Sequence, residues 1–347
     1  KNLWIITASQ IFSFTPAPVN VFLSGIIGST LSPVKFLQTV PTSLMIVGIA
    51  VFSFFAARIM SKIGRKAGFL YAALFSSFSA LLASYAVWDK SFYLFCLACF
   101  FIGNAMSFTH QYRFAAAESV KKSFIPKALS IVMLASIFSA LLGPNIANFN
   151  KDLINGHLYV GSYLSLAVLT LVPVIFLSFY SSKVESTKAK EYKGRSYFEL
   201  ISQPRFLQAI ASAAFAYAVM SFLMTATPIN MHIIENYSLN KTGIVIQLHI
   251  VSMFLPSLIT GNLLRKYRHS KIIYAGVIFF ILTILLSFLQ PSFFNYLFSL
   301  IFLGIGWNFL YLSGTGLLVL SYREEEKFKA QGFNDILVFS TQALASL

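Results

Sequence analysis

Few residues in this sequence are equipped for chemistry, and most of those lie inside apolar runs. His110, Glu118, His249 and Asp335 can each carry a proton when burial shifts their affinity for it. Arg113 is the most deeply set cation, about one helical turn inside the end of an apolar stretch. It either binds an anionic group or pairs with Glu118. The run Cys96-Leu97-Ala98-Cys99 has CxxC spacing, but no further Cys and no adjacent His joins it. Two small apolar fillers are expected there. No HExxH, phosphate loop or nucleophile elbow occurs, and no His and carboxylate cluster has metal spacing. Catalysis, ATP-driven work by this chain alone and a bound cofactor are therefore not expected.

Uncharged polar residues recur at helical spacing within the apolar runs. Gln10, Ser13, Ala17, Asn20 and Ser24 share one face, and Thr15, Pro16 and Pro18 can break that helix. Asn104, Ser107 and Gln111 share another, as do Tyr217, Ser221 and Thr225. Gly304, Trp307, Asn308, Tyr311 and Thr315 form a fourth, with Trp307 and Asn308 near the midpoint. A Trp at mid-membrane is either helix packing or a stacking platform for a planar ligand. The candidate solute-binding residues are Gln10, Asn104, Gln111 and Arg113 in the first part of the chain. In the second part they are Tyr217, Thr225, Trp307, Asn308 and Tyr311. Interhelical hydrogen bonding is the alternative role for each.

The elements that must position these groups are membrane helices. Of 347 residues, 57% are hydrophobic, 11% are charged and 37 are Phe. A soluble domain carries about a quarter charged residues, so lipid is the solvent for most of this surface. Spanning runs occur at about 3–28, 34–57, 67–88, 91–117, 127–149 and 158–181. After a polar linker at 182–205 they resume at about 206–234, 240–264, 271–289, 294–321 and 331 onward. The net charge of +15 is no nucleic-acid stripe. Its Lys and Arg gather on alternate loops, such as Arg58, Lys62, Arg65 and Lys66, then Arg265, Lys266, Arg268 and Lys271. The other side has only Lys35, Lys90, Lys151 and Lys241. The rich loops and the N-terminus are expected to be cytoplasmic. No cleavable signal peptide is visible. The start at Lys1 and the end inside an apolar run lead us to expect trimming, with a twelfth span beyond Leu347.

The halves 1–181 and 206–347 echo each other. Phe101-Ile102-Gly103 leads to Lys127-Ala128, and Phe302-Leu303-Gly304 leads to Lys329-Ala330. Ala57 to Lys66 also resembles the major facilitator signature G-x-x-x-D-[RK]-x-G-R-[RK], with Lys62, Gly64, Arg65 and Lys66 matching. Ala57 stands for its first Gly and Ser61 for its acid. Gln111-Tyr112-Arg113-Phe114-Ala115-Ala116-Ala117-Glu118, Gly304-Ile305-Gly306-Trp307-Asn308-Phe309 and Gln331-Gly332-Phe333-Asn334-Asp335 are similar to a bacterial subgroup of that superfamily. The subgroup includes proposed riboflavin importers.

The resemblance implies an all-α membrane fold of two six-helix halves with pseudo-two-fold symmetry. Spans one, four, seven and ten would line a central path, and transport would proceed by alternating access. It implies a gate of Arg65, Lys66 and Asp335, with Asp335 as a cross-half partner of Arg65 or simply a helix N-terminal acid. It further implies a monomer in a bacterial inner membrane, contacting lipid and a small-molecule substrate, and no nucleic acid. A coupling proton is a candidate partner, but spans one, four, seven and ten hold no central carboxylate to carry it, so facilitated diffusion stays open beside secondary active transport. Drug/proton antiporters of the superfamily follow a Gly-Pro with paired Gly; here Gly143-Pro144 is followed by Ala147-Asn148. Transport of a small planar solute such as riboflavin is the leading expectation. Export of drugs or siderophore-like compounds and a non-transporting receptor are the alternatives.

Overall fold

The computed structural model describes residues 1–181 and 194–346. The linker stretch 182–193 lies outside the described residues. Every regular element among them is helical, as backbone in lipid requires. In the first half these are α1 (Asn2–Ser13), α2 (Pro16–Leu31), α3 (Val40–Trp88), α4 (Phe92–Thr109), α5 (Tyr112–Glu118), α6 (Ile125–Phe149), α7 (Val160–Leu169) and α8 (Val172–Ser178). In the second they are α9 (Tyr197–Ile201), α10 (Pro204–Ile229), α11 (Leu239–Phe254), α12 (Ser257–Lys266), α13 (His269–Ser287), α14 (Phe293–Val319) and α15 (Lys327–Ser346).

Among the described residues, nine helical stretches are long and apolar enough to cross a membrane. One of them crosses twice. Helix α3 has 49 residues, about 74 Å of helix against a hydrocarbon core of ~30 Å. Gly64, with φ 81° and ψ 160°, turns it back on itself. That conformation is essentially reserved for glycine. The expected spans 34–57 and 67–88 are therefore the two arms of α3. Helix α15 fills the place of the eleventh span, but Lys327, Lys329, Gln331, Asn334 and Asp335 make its first half polar.

Several spans are broken, and proline explains most of the breaks. Pro16 and Pro18 offer no N–H, so i→i+3 bonds take over between α1 and α2: Thr15 N donates to Phe12 O at 3.2 Å and Ala17 N to Phe14 O at 3.1 Å. Pro173 opens α8, and Pro256 sits in the α11–α12 break. The α4–α5 break at His110–Gln111 has no proline and was not expected; Gln111 N donates to Phe108 O at 3.0 Å there, tightening the turn. This break puts His110 on the inner cavity and Gln111 on the neighbouring polar layer.

The internal echo is physical. A Cβ on Gly103 of α4 would strike Met45 O and Gly48 Cα in the first arm of α3. A Cβ on Gly304 of α14 would strike His249 O and Ser252 Oγ in α11. Both glycines let two helices cross nearly backbone to backbone, at matched places in the two halves. The largest apolar cluster runs through both halves, and two smaller ones lie at the end that carries the basic loops.

Gly64→Ala should strain the turn by about 1–3 kcal/mol. The melting temperature of the detergent-purified protein should drop measurably; an unchanged value would show that the arms of α3 do not need the reversal at this residue.

Candidate functional site

The polar residues inside the bundle are arranged as three layers. The first, at the basic end, is a lock between the halves. Arg65 follows the Gly64 turn, which delivers its guanidinium into the bundle, 4% exposed. Its Nε donates to Glu118 Oε2 at 3.0 Å and its Nη2 to Glu118 Oε1 at 2.5 Å. Nη2 also donates to Gln331 Oε1 of α15 at 2.7 Å. Nη1 donates to Gln111 Oε1 at 3.2 Å. Gln111 passes the connection on, because its Nε2 donates to Asp335 Oδ2 at 2.7 Å. Arg113 Nη2 forms a salt bridge to Asp335 Oδ1, with both side chains buried.

This geometry corrects three readings of the sequence. The cross-half partner of Asp335 is Arg113, and Arg65 reaches it only through Gln111. Glu118 belongs to Arg65, which closes the alternative that Arg113 pairs with Glu118. Lys66 does not reach the second half. Its Nζ donates to Ser178 O at 2.5 Å and so caps the end of α8.

The second layer is an aromatic floor. Trp307 and Tyr311 stack at 4.7 Å and 28°, and Tyr217 meets both edge-on at 5.3 and 5.1 Å. Phe254 packs against Trp307, and Phe14 of the first half against Phe254 at 5.8 Å. His110 lies 4.5 Å from Phe339 of α15. Arg113 lies over the Tyr311 ring at 4.7 Å, joining floor to lock.

Above the floor is a cavity of about 920 Å³. It runs from Arg113, His110 and Tyr311 to a rim at the charge-poor end, where Ser29 and Asn148 are exposed and Gln38, Lys151 and Tyr159 are half-buried. Its wall is rich in soft side chains: Met45, Met133, Met220, Met224 and Met253 all contribute. The described lining contains Arg113, Lys151, His110 and His249 but no Asp or Glu. Several buried polar atoms in the wall have no protein partner: Trp307 Nε1, Gln10 Oε1, Gln342 Oε1, His249 Nε2, and Arg113 Nε and Nη1. His249 Nδ1 lies 2.8 Å from Leu300 O, so it carries a hydrogen, and the neutral ring presents Nε2 as an acceptor.

The sequence candidates divide accordingly. Gln10, Arg113, Tyr217, Thr225, Trp307 and Tyr311 line the cavity, as do His110 and His249. Thr225 uses its hydroxyl on its own helix, donating to Ser221 O at 2.8 Å. Three others stand elsewhere. Gln111 is in the lock. Asn308 is fully engaged between helices, donating to Met253 O and Ser257 Oγ at 2.7 Å and accepting from Thr260 Oγ1 at 2.8 Å, so it braces the α11–α12 break. Asn104 is buried outside the cavity wall. Trp307 is only 1% exposed with its ring packed by Tyr311, Tyr217 and Phe254, so its free N–H, not an open face, is what it offers. Both cysteines are free and buried, and Cys99 Sγ donates to Asn20 Oδ1. The sequence reading did not single out Gln331, Phe339 or Gln342; their signal was the helical spacing of Gln331, Asp335, Phe339, Gln342 and Ser346 along α15.

A third buried cluster outside the membrane helices fixes the end of the linker. Glu326 accepts from Arg195 N and Nε at 2.9 Å and from Arg195 Nη2 at 2.5 Å. Hydrogen bonding from Arg195 holds the Glu326 carboxyl down at about 2.

A helical bundle whose two halves are locked at one end, around a cavity reaching the other, is the frame of an alternating-access solute transporter. The sequence profile of the Major Facilitator Superfamily matches residues 3–346. The riboflavin transporter RfnT of Brucella anthropi is 32% identical over 100% of this chain and 87% of its own length. The uncharacterized MFS-type transporter YddS of Bacillus subtilis is 25% identical over 97% of this chain and 81% of its own. Among solved structures, the human organic anion transporter MFSD10 (TETRAN) superposes with a TM-score of 0.75 at 10% identity, covering 99% of this chain and 91% of its own. FucP in its outward conformation gives 0.72 at 14% identity, covering 99% and 89%. The chain belongs to the major facilitator superfamily and is a multi-pass membrane transporter, not an enzyme.

Arg113→Met and Asp335→Leu should each destabilise by about 3–5 kcal/mol, since each strands a buried charge. The double variant should lose clearly less than the sum in thermal unfolding; additive losses would mean the two side chains do not interact. For Glu326 the sign is that of a lowered carboxylate. Its contribution is full above the unfolded value near 4.5 and is lost as pH falls toward 2. Glu326→Gln should therefore lower the melting temperature at pH 7, and the difference from the parent should shrink below pH 4.5 and vanish only as pH reaches about 2.

Proposed function

We propose that this transporter imports riboflavin or a closely similar planar, uncharged or weakly anionic compound. The observation that carries the proposal is the cavity wall. Aromatic and methionine side chains favour a flat, polarisable solute. Besides tyrosines, the titratable side chains among the described lining residues are Arg113, Lys151, His110 and His249, so an acceptor-rich solute is favoured and a cationic drug is repelled. Unpartnered donors on Trp307 and Arg113 and acceptors on Gln10, Gln342 and His249 suit a heteroaromatic ring that carries both carbonyls and N–H groups. The relative from Brucella anthropi, a riboflavin transporter, points to the same solute.

The basic loops and the N-terminus are cytoplasmic in this reading, in a bacterial inner membrane, and the protein works as a monomer. The described state then opens outward and is closed toward the cytoplasm. Tyr217, Tyr311 and Gln342 hold the solute above the floor, and among the described lining residues His110 and His249 are able to carry a coupling proton.

Titrating the purified protein with riboflavin should quench flavin fluorescence saturably, and ethidium should not compete. Trp307→Phe keeps the packing but removes the N–H, and should weaken riboflavin binding about 5- to 10-fold. The protein should also restore growth of a riboflavin auxotroph on low riboflavin. Absence of both binding and rescue would exclude riboflavin as the solute.

A further inference from the structure

The Arg113 guanidinium serves two neighbours. On the side of the lock, Nη2 holds Asp335. On the side of the cavity, Nε and Nη1 are buried and have no protein partner, in a side chain that forms part of the wall. The group is sandwiched between Tyr311 at 4.7 Å and Phe114 at 4.5 Å. A buried, charged donor left without an acceptor is costly, so this position is prepared for one.

We infer that Arg113 is the residue through which an occupied cavity releases the lock. The inference rests on the reading of the solute as a planar compound bearing acceptors. A carbonyl, a deprotonated imide or a carboxylate of the solute takes the free Nε–H or Nη1–H, each of which shares a two-pronged edge with Nη2, the nitrogen that holds Asp335. The guanidinium charge is then shared, and its hold on Asp335 weakens. Asp335 is not stranded by this, because Oδ2 also accepts from Gln111 at 2.7 Å and Oδ1 from Asn334 at 2.8 Å. The seam beside it can follow: Phe114, next to Arg113, packs in one cluster with Leu318 and Ala330 of the second half. Lysine would not reproduce the device, since a single ammonium is a point charge without two separate hydrogen-bonding edges.

The test reads opening of that seam. Ala330 is fully buried. In a background with Cys96→Ala and Cys99→Ala, Ala330→Cys reports opening through its rate of maleimide labelling in detergent. Riboflavin should accelerate labelling by at least ~5-fold, the lower end of ordinary coupling between sites. Arg113→Lys should label slowly with or without riboflavin. Asp335→Asn, which keeps Arg113, should label fast without ligand and, by reciprocity, bind riboflavin more tightly. Full acceleration persisting in Arg113→Lys would overturn the inference, as would slow ligand-free labelling in Asp335→Asn. A purely packing role for Arg113 would lower stability in the variants while leaving the effect of ligand on labelling intact. If riboflavin leaves flavin fluorescence unchanged with the parent protein, the proposed solute fails on its own. The same labelling is then read with naphthalene-2-carboxylate, a planar anion, and absence of acceleration there overturns the Arg113 inference as well.

Discussion

A charge inside a membrane bundle must be neutralised by something within reach, and that requirement organises this protein. Two arginines, Arg65 and Arg113, are buried at the basic end, and among the described residues two carboxylates, Glu118 and Asp335, lie against them. Glu118 shares a half with Arg65, whereas Asp335 comes from the other half. Charge balance within the first half is therefore incomplete until α15 docks. Removing Asp335 from Arg113 costs several kcal/mol unless another acceptor takes its place. The buried pair is a poor source of net stability but a strong specifier of which surfaces meet. Gln111 and Gln331 fill the remaining donor and acceptor sites, so that Arg65 and Arg113 act as one connected network.

The backbone above this layer is shaped to serve it. Gly64 sends Arg65 inward where a continuous helix would have carried it past the bundle. The tightened turn at His110–Gln111 splits neighbouring side chains between cavity and lock. The glycine crossings at Gly103 and Gly304 draw spans together at matched places in the two halves, leaving room between the halves for the cavity. Asn308, read as a solute ligand by its mid-membrane position, instead satisfies backbone and hydroxyl groups where α11 is broken before Pro256. Broken helices in lipid need such internal partners.

The spans, the reversal after the second span and the lining by polar faces were legible because each is written in local pattern: run length, a signature loop and helical spacing. The pairing of charges was not. Arg113 and Glu118 are close in sequence, but five residues put them about 140° apart on a regular helix, so helical spacing pairs neither of them with the other. The partner actually chosen depends on the register of α5 against α15, which no local pattern encodes. The same holds for Gln342, which enters the cavity only because α15 lies beside α3 and α10. Its spacing from Asp335 was visible, but the polar opening turns of α15 drew attention to the acid alone.

The two ends of the bundle differ in chemistry, and that difference bears on how it moves. All four salt bridges among the described residues lie at the basic end. At the other end Lys151 and Tyr159 stand on an open rim, and the facing surfaces are apolar, hydroxyl or amide. Opening the basic end therefore means separating an ion pair, an interaction with steep dependence on a small number of contacts. Closing the rim means burying broad apolar surface, an interaction that grows with area and with whatever fills the cavity. A solute of the right size contributes to the second directly, by filling the space that would otherwise remain open between the halves. It can affect the first only through a residue that touches both cavity and lock. Among the described lining residues, Arg113 alone forms a salt bridge across the halves. The asymmetry between a charged latch and an apolar closure thus makes one side chain the natural point of control over which face of the protein is open.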